Sequence, residues 1–168
     1  MSNFWIITDT HFGHKGIVEA GHRPEKFELK ILSGLMYLEP EDIVIHLGDV
    51  AFSFPNIWTD RLRRHVPGKL WLTRGNHDKS TGWYLERGFD FVGEAISLKW
   101  QGQKILFSHE PQAELGDHDV NIHGHIHLGV HHAHENLPNS LRHIGVHMEN
   151  HWHPWSLKEI LKRGSGNG

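Results

Sequence analysis

Gly75-Asn76-His77-Asp78 follows directly on Leu70 to Thr73, an apolar run of strand length, so the Asn and His fall where a strand gives way to a loop. The same arrangement recurs along the chain. Upstream, Phe4 to Thr8 leads into Asp9-Thr10-His11, and Ile43 to Leu47 leads into Gly48-Asp49. Downstream, Lys104 to Ser108 leads into His109, and Val120 to Ile122 leads into His123-Gly124-His125-Ile126-His127. Side chains with oxygen and nitrogen donors therefore collect at strand ends. In open α/β sheets, the region beyond the carboxyl ends of the strands is where sites form.

Segments rich in helix formers separate the first three apolar runs, which predicts βαβ units around a buried sheet. Residues 25–38 carry Phe27, Ile31, Leu32, Leu35 and Leu38 at helical spacing after Pro24, and Asn56 to His65 predicts a second, shorter helix. After residue 90 the rhythm changes. Ala95 to Trp100 and Lys104 to Ser108 flank Gln101-Gly102, a hairpin turn, with further strands expected at Val120 to Ile122 and Leu141 to Val146. A second, more antiparallel sheet is expected from this part. Ser156 and Glu159 form a capping box for a final helix, with Trp155 and Ile160 as its hydrophobic staple. The expectation is one domain over residues 1–163, with residues 164–168 as a disordered tail.

The 168 residues include no cysteine, so side-chain metal ligands are restricted to His, Asp, Glu and Asn. Twelve of the eighteen histidines fall between His109 and His153, and most of these read as solvated surface. A formal net charge of −3 argues against a strong grip on a nucleic-acid backbone. No stretch approaches the ~20 apolar residues of a membrane span. Because Asp9 lies so near the N-terminus, no cleavable signal fits ahead of it, and a cytoplasmic location is expected.

The ordered set Asp9-x-His11, Gly48-Asp49, Gly75-Asn76-His77-Asp78, His109 and Gly124-His125-x-His127 resembles the signature of the calcineurin-like metallophosphoesterases, here a small single-domain member. The resemblance implies an α/β fold, a two-sheet sandwich in four layers (αββα). It also implies two divalent metal ions, one held by Asp9, His11 and His127 and the other by Asn76, His109 and His125, with Asp49 bridging them. Such a pair makes a hydroxide available near neutral pH and faces phosphate oxygens with positive charge. The mixed histidine and oxygen set suits Mn, with Fe, Ni, Co and Zn as alternatives.

By the same resemblance, His77 faces substrate and is the candidate general acid, with Asp78 expected to fix its tautomer. His14 and Arg74 are candidate substrate contacts. His46 reads as a buried, hydrogen-bonded histidine, and His123 as a residue outside the ligand set. Asp49 is followed by Val50-Ala51-Phe52-Ser53-Phe54, which lacks the arginine of the protein-phosphatase branch and counts against that activity. The aromatic stretch Phe52 to Trp58 reads as core cover ahead of a stacking platform, and Trp152, His153 and Trp155 as core packing.

The expected partner is a small phosphate ester, with a nucleotide or short nucleic acid as an extension and no membrane. Phosphodiester hydrolysis through a metal-bridging hydroxide is the leading expectation. Phosphomonoesterase, nuclease on short or single-stranded nucleic acid, and non-catalytic metal-binding or scaffold roles are its rivals.

Overall fold

A computed structural model of the chain describes residues 2–127 and 142–165. In chain order the elements are β1 (Phe4–Ile7), α1 (Lys15–Glu19), α2 (Phe27–Leu35), β2 (Ile43–His46), α3 (Pro55–His65), β3 (Lys69–Thr73), α4 (Thr81–Leu85) and β4 (Phe91–Gly93). They continue with β5 (Ala95–Trp100), β6 (Gln103–Ser108), β7 (Val120–His123), β8 (His143–Gly145), β9 (Trp155–Ser156) and α5 (Leu157–Ser165).

Among the described residues, β4-β3-β2-β1-β9 form one sheet and β5-β6-β7-β8 a second. Strands β1 to β4 run parallel, and β9 joins antiparallel to β1. Both faces of this first sheet are buried, and the side chains sort by parity. Ile7, Val44, Leu70 and Leu72 face a core made with Phe27, Ile31, Leu32 and Leu35 of α2, Leu62 of α3 and Tyr84 of α4. Ile6 and Ile45 face the second sheet, where they meet Ile96, Ile105, Phe107, Val120 and Ile122. The helical spacing read between residues 25 and 38 is thus the buried stripe of α2, and Pro55 occupies the first turn of α3, where its missing N–H costs nothing.

Strands β5 and β6 form a hairpin through Gln101-Gly102, whose φ angles of 48° and 85° are the two positive values that a two-residue turn matching strand twist requires. The pairs β6·β7 and β7·β8 are parallel, so the second sheet is antiparallel in its hairpin alone. That corrects the expectation of a more antiparallel sheet, and it sends the carboxyl ends of β6 and β7 toward the same edge as those of β1 to β3. The short strand β4 and helices α1 and α4 had no clear sequence signal.

Helix α5 adds Leu157, Ile160 and Leu161 to the inter-sheet core beside Trp155. It continues to Ser165, two residues into the expected tail, whose residues 166–168 lie outside the described residues, as does Leu141 of the expected late strand. Ser97 and Lys99 on the outer face of the second sheet are exposed, and no helix among the described residues covers that face. The described layers are therefore helices, sheet and sheet; the fourth, helical layer is not among them. His153 is exposed, not packed in the core, whereas Trp155 is buried and Trp152 packs at the core margin. No helix among the described residues is long and apolar enough to cross a membrane.

Phe107 is fully buried between the sheets. Phe107→Ala should lower unfolding free energy by about 3–5 kcal/mol, read as a lower urea midpoint with an unchanged slope.

Candidate metal centre

Each strand of the site edge is followed by a sharp turn. Asp9, His11, Asp49 and His125 all adopt left-handed backbone, with φ of 45°, 42°, 58° and 67°. Asp and His tolerate this region better than bulky residues do, and the strain of such turns gathers at functional sites. The turns interlock through their backbones: Asp9 N–H donates to Gly48 O, His11 N–H to Asp49 O, and Gly124 N–H to His109 O. Close approach excludes side chains at two glycines. A Cβ on Gly75 would strike the Asp49 carboxylate, and one on Gly124 would strike the Thr8 hydroxyl and the Asp9 carboxylate.

The side chains meet in two overlapping groups, Asp9 with His11 and His127, and Asp9 with Asp49 and His109, the ligand atoms of each lying within 4.8 Å of one another. Asp49 Oδ2 is 3.6 Å from His11 Nε2 and 3.6 Å from His109 Nε2, midway between the two halves. His109 Nδ1 lies 2.8 Å from Leu47 O. A carbonyl only accepts, so in the neutral ring Nδ1 carries the proton and Nε2 holds the lone pair. That lone pair faces Asn76 Oδ1 at 2.9 Å and His125 Nδ1 at 3.0 Å.

On the other side, His127 Nε2 lies 3.1 Å from His11 Nε2 and 3.5 Å from Asp9 Oδ1, a buried oxygen with no hydrogen-bond partner among the described residues. Burial, with the charge of Arg23 and the neighbouring histidines, pushes His11 down to about 2, which keeps its ring neutral. Burial beside Asp9 and Asp78 raises the Asp49 carboxyl. Carboxylate and amide oxygens and imidazole nitrogens converging at these distances are a donor set suited to divalent cations.

His77 is exposed at the rim, its ring centroid 5.8 Å from that of His11, and its backbone N–H donates to Asp49 Oδ1 at 3.0 Å. Asp78 does not orient that ring. Its Oδ2 accepts from the N–H groups of Asp49 and Gly75, both at 2.8 Å, and its Oδ1 accepts from Val50 N–H at 2.9 Å and Tyr84 O–H at 2.7 Å. The expected role as tautomer guide is corrected to that of a clasp between two loops, because four donors already occupy both oxygens.

Arg74 is not a lining residue either, since its guanidinium pairs with Glu94. A cleft of about 360 Å³ opens over the cluster, lined by His14, Ile17, His22, Phe52 and His77 together with His11, Asp49, Asn76, His125 and His127 of the ligand candidates. His14 caps α1 by accepting from Ile17 N–H, and it stacks on Phe52 at 3.9 Å between centroids. Phe52 and Phe54 are exposed; of the aromatic stretch, Trp58 alone covers core, stacked on Phe12.

His46 is fully buried and hydrogen-bonds to Thr10 Oγ1 and Gly48 N–H. Burial holds it down at about 4, and does the same for His123. Two residues of the site escaped sequence reasoning, Arg23 and Glu149. Arg23 is buried against the first turn and pairs with Glu149, which in turn contacts His127. Burial alone would raise the Glu149 carboxyl, but the His127 hydrogen bond and the Arg23 charge overcome it and hold it at about 2. A charged pair this far apart in sequence carries no local pattern.

The sequence profile of the calcineurin-like phosphoesterase superfamily domain matches residues 3–144. The chain belongs to that family. The chemistry of calcineurin-like phosphoesterases is metal-dependent phosphoester hydrolysis, which agrees with the donor set. An uncharacterised protein of Methanocaldococcus jannaschii, MJ1445, is 29% identical over 140 residues, covering 79% of this chain and 71% of its own. The crystal structure of AQ665, a protein of unknown function from Aquifex aeolicus, superposes with a TM-score of 0.76 at 29% identity, over 97% of this chain and 100% of that one. Nuclease MPE of Pseudomonas putida gives a TM-score of 0.51 at 26% identity, over 74% of this chain and 61% of its own.

Two predictions concern this calcineurin-like phosphoesterase before any substrate is added. Asp78→Ala leaves three backbone donors and the Tyr84 hydroxyl without their acceptor. It should cost at least about 3 kcal/mol of stability by urea unfolding and weaken metal uptake. For His46, the folded value of about 4 lies below the ordinary 6.5, so the unfolded chain binds more protons between these values. Stability of the metal-free protein should therefore fall as pH drops from 6.5 to 4, with a His46 share of up to about 1.4 kcal/mol per pH unit. Unfolding curves for His46→Gln should show a correspondingly shallower pH slope.

Proposed function

We propose that this chain is a dinuclear phosphodiesterase acting on small phosphodiesters, with Mn as the favoured metal. The observation that carries the reading is the position of Asp49 Oδ2, equidistant from a histidine of each half of the cluster. Asp9, His11 and His127 would hold one ion and Asn76, His109 and His125 the other, with Asp49 between them. When bound, the ions supply Lewis-acid charge to the phosphate oxygens and lower the pKa of water so that hydroxide is available near neutral pH.

The protein's own contribution is the shape and charge of the cleft. Among the described lining residues none is Lys or Arg. A diester carries one negative charge and a monoester approaches two, so a wall without fixed cations favours the diester. The His14–Phe52 stack offers a flat apolar surface to an aryl or nucleoside ester group. His77, exposed at the rim and anchored through its backbone to Asp49, is placed to give a proton to the leaving alkoxide. Similarity to nuclease MPE of Pseudomonas putida keeps a second reading in view, hydrolysis of short or single-stranded nucleic acid, through the same linkage chemistry.

Chelator-stripped protein reconstituted with Mn, Ni, Co, Zn or Mg should hydrolyse bis-nitrophenyl phosphate faster than nitrophenyl phosphate, and Asp49→Asn should abolish both. Preference for the monoester would transfer the assignment to a phosphatase, and no turnover with any metal would sink the enzymatic reading. His77→Ala should slow alkyl diesters by roughly 10²–10⁴-fold and nitrophenyl esters much less, since nitrophenolate leaves without protonation. Equal losses on the two would count against the acid role.

A further inference from the structure

Arg23 and Glu149 lie 126 positions apart in sequence, yet they form one partly buried device behind one half of the metal cluster. The Arg23 side chain is wholly buried, and its guanidinium lies 5.0 Å from the Phe27 ring centroid and 5.6 Å from that of Trp152. Its donors are spent on the site. Nη2 donates to Asp9 O at 2.7 Å and Nη1 to Thr10 O at 2.9 Å, fixing the backbone of the left-handed first turn. Nη2 and Nε also donate to Glu149 Oε1, at 2.7 and 3.2 Å.

That same carboxylate oxygen lies 3.1 Å from His127 Nδ1. The carboxylate accepts the N–H of His127, which leaves the lone pair on Nε2, the atom facing Asp9 Oδ1 and His11 Nε2. A carboxylate behind a histidine sets its tautomer and ring orientation and raises its basicity toward a cation.

We infer that Glu149, held by Arg23, is the positioning residue for His127 and that the pair selectively sustains the metal subsite formed by Asp9, His11 and His127. The inference rests on the dinuclear reading of the site. In the other half, His109 gives its Nδ1 proton to the main-chain carbonyl of Leu47. His127 thus depends on a side chain delivered by the C-terminal segment at a 3-10 turn, Met148–Asn150, whereas His109 is backed by the main chain at the end of β2. Removing Glu149 should therefore cost one metal and spare its neighbour.

The test is titration of the chelator-stripped full-length protein with Mn, followed by calorimetry and by metal content after dialysis. Wild type should bind two equivalents. Glu149→Ala should keep one equivalent at wild-type affinity and weaken the other by about 10–100-fold, reproducing the pattern of His127→Ala. Glu149→Gln, which retains an oxygen to accept the His127 N–H, should restore most of the loss.

Glu149→Asp keeps the charge for Arg23 but withdraws it from His127 by one methylene. It is the second variant should the alanine protein not fold, and it should show the same selective loss. Two equivalents bound as in wild type by the Ala or Asp variant, or equal weakening of both metals, would overturn the inference alone. A wild-type protein that takes up fewer than two equivalents would instead overturn the dinuclear reading beneath it.

Discussion

The carboxylate of Asp78 is the constraint on which the arrangement of the site depends. Backbone N–H groups at a strand-to-loop transition have no ladder partner, and unpaired they would cost free energy or turn toward water. Here those of Asp49, Val50 and Gly75 turn toward one carboxylate, which a tyrosine hydroxyl completes. The loops after β2 and β3 are thereby held against each other, closely enough that Gly75 has no room for a side chain beside Asp49. Asp49 is left with one oxygen committed to the His77 N–H and the other facing the cluster.

Parallel direction does the remaining work. Because β1, β2 and β3 of one sheet and β6 and β7 of the other all end on one side, side chains far apart in sequence share one edge. Asp9 Oδ2 accepts the His125 N–H at 2.9 Å, joining the two sheets through the site itself. Burying carboxylates and histidines there penalises their charged forms, and the pKa directions register it: burial raises Asp49 and lowers His11. Divalent cations would offset the penalty on the carboxylate.

Most strands were legible because their runs are short, apolar and bounded, as with β3 ahead of Gly75-Asn76. The parity of Ile6 and Ile7 could not be assigned to particular cores until both sheets were in place. Strand β4 is three residues long, with too little alternation to read, and Asp90 steadies its entry by accepting from Leu70 N–H across the sheet. Parallel pairing of β6 with β7 was hidden for a different reason: direction depends on the path of residues 109–119, and composition does not record a path. Asp78 reads as a partner of His77 because the two are adjacent in sequence, while two of its four donors, the N–H groups of Asp49 and Val50, come from another loop.

The sequence by itself determined which residues can serve as ligands, since strand-end Asp, Asn and His are set by local periodicity and turn chemistry, and it carried the family signature in order. Tertiary structure alone decided which of them face each other. It put Asp49 midway between His11 and His109, took Arg74 out of the cleft by pairing it with Glu94, and brought Arg23 and Glu149 in behind His127. The physical reason is that a hydrogen bond or ion pair requires proximity in space. Proximity between residues more than a hundred positions apart exists only after two sheets have packed and buried the charges that must find one another.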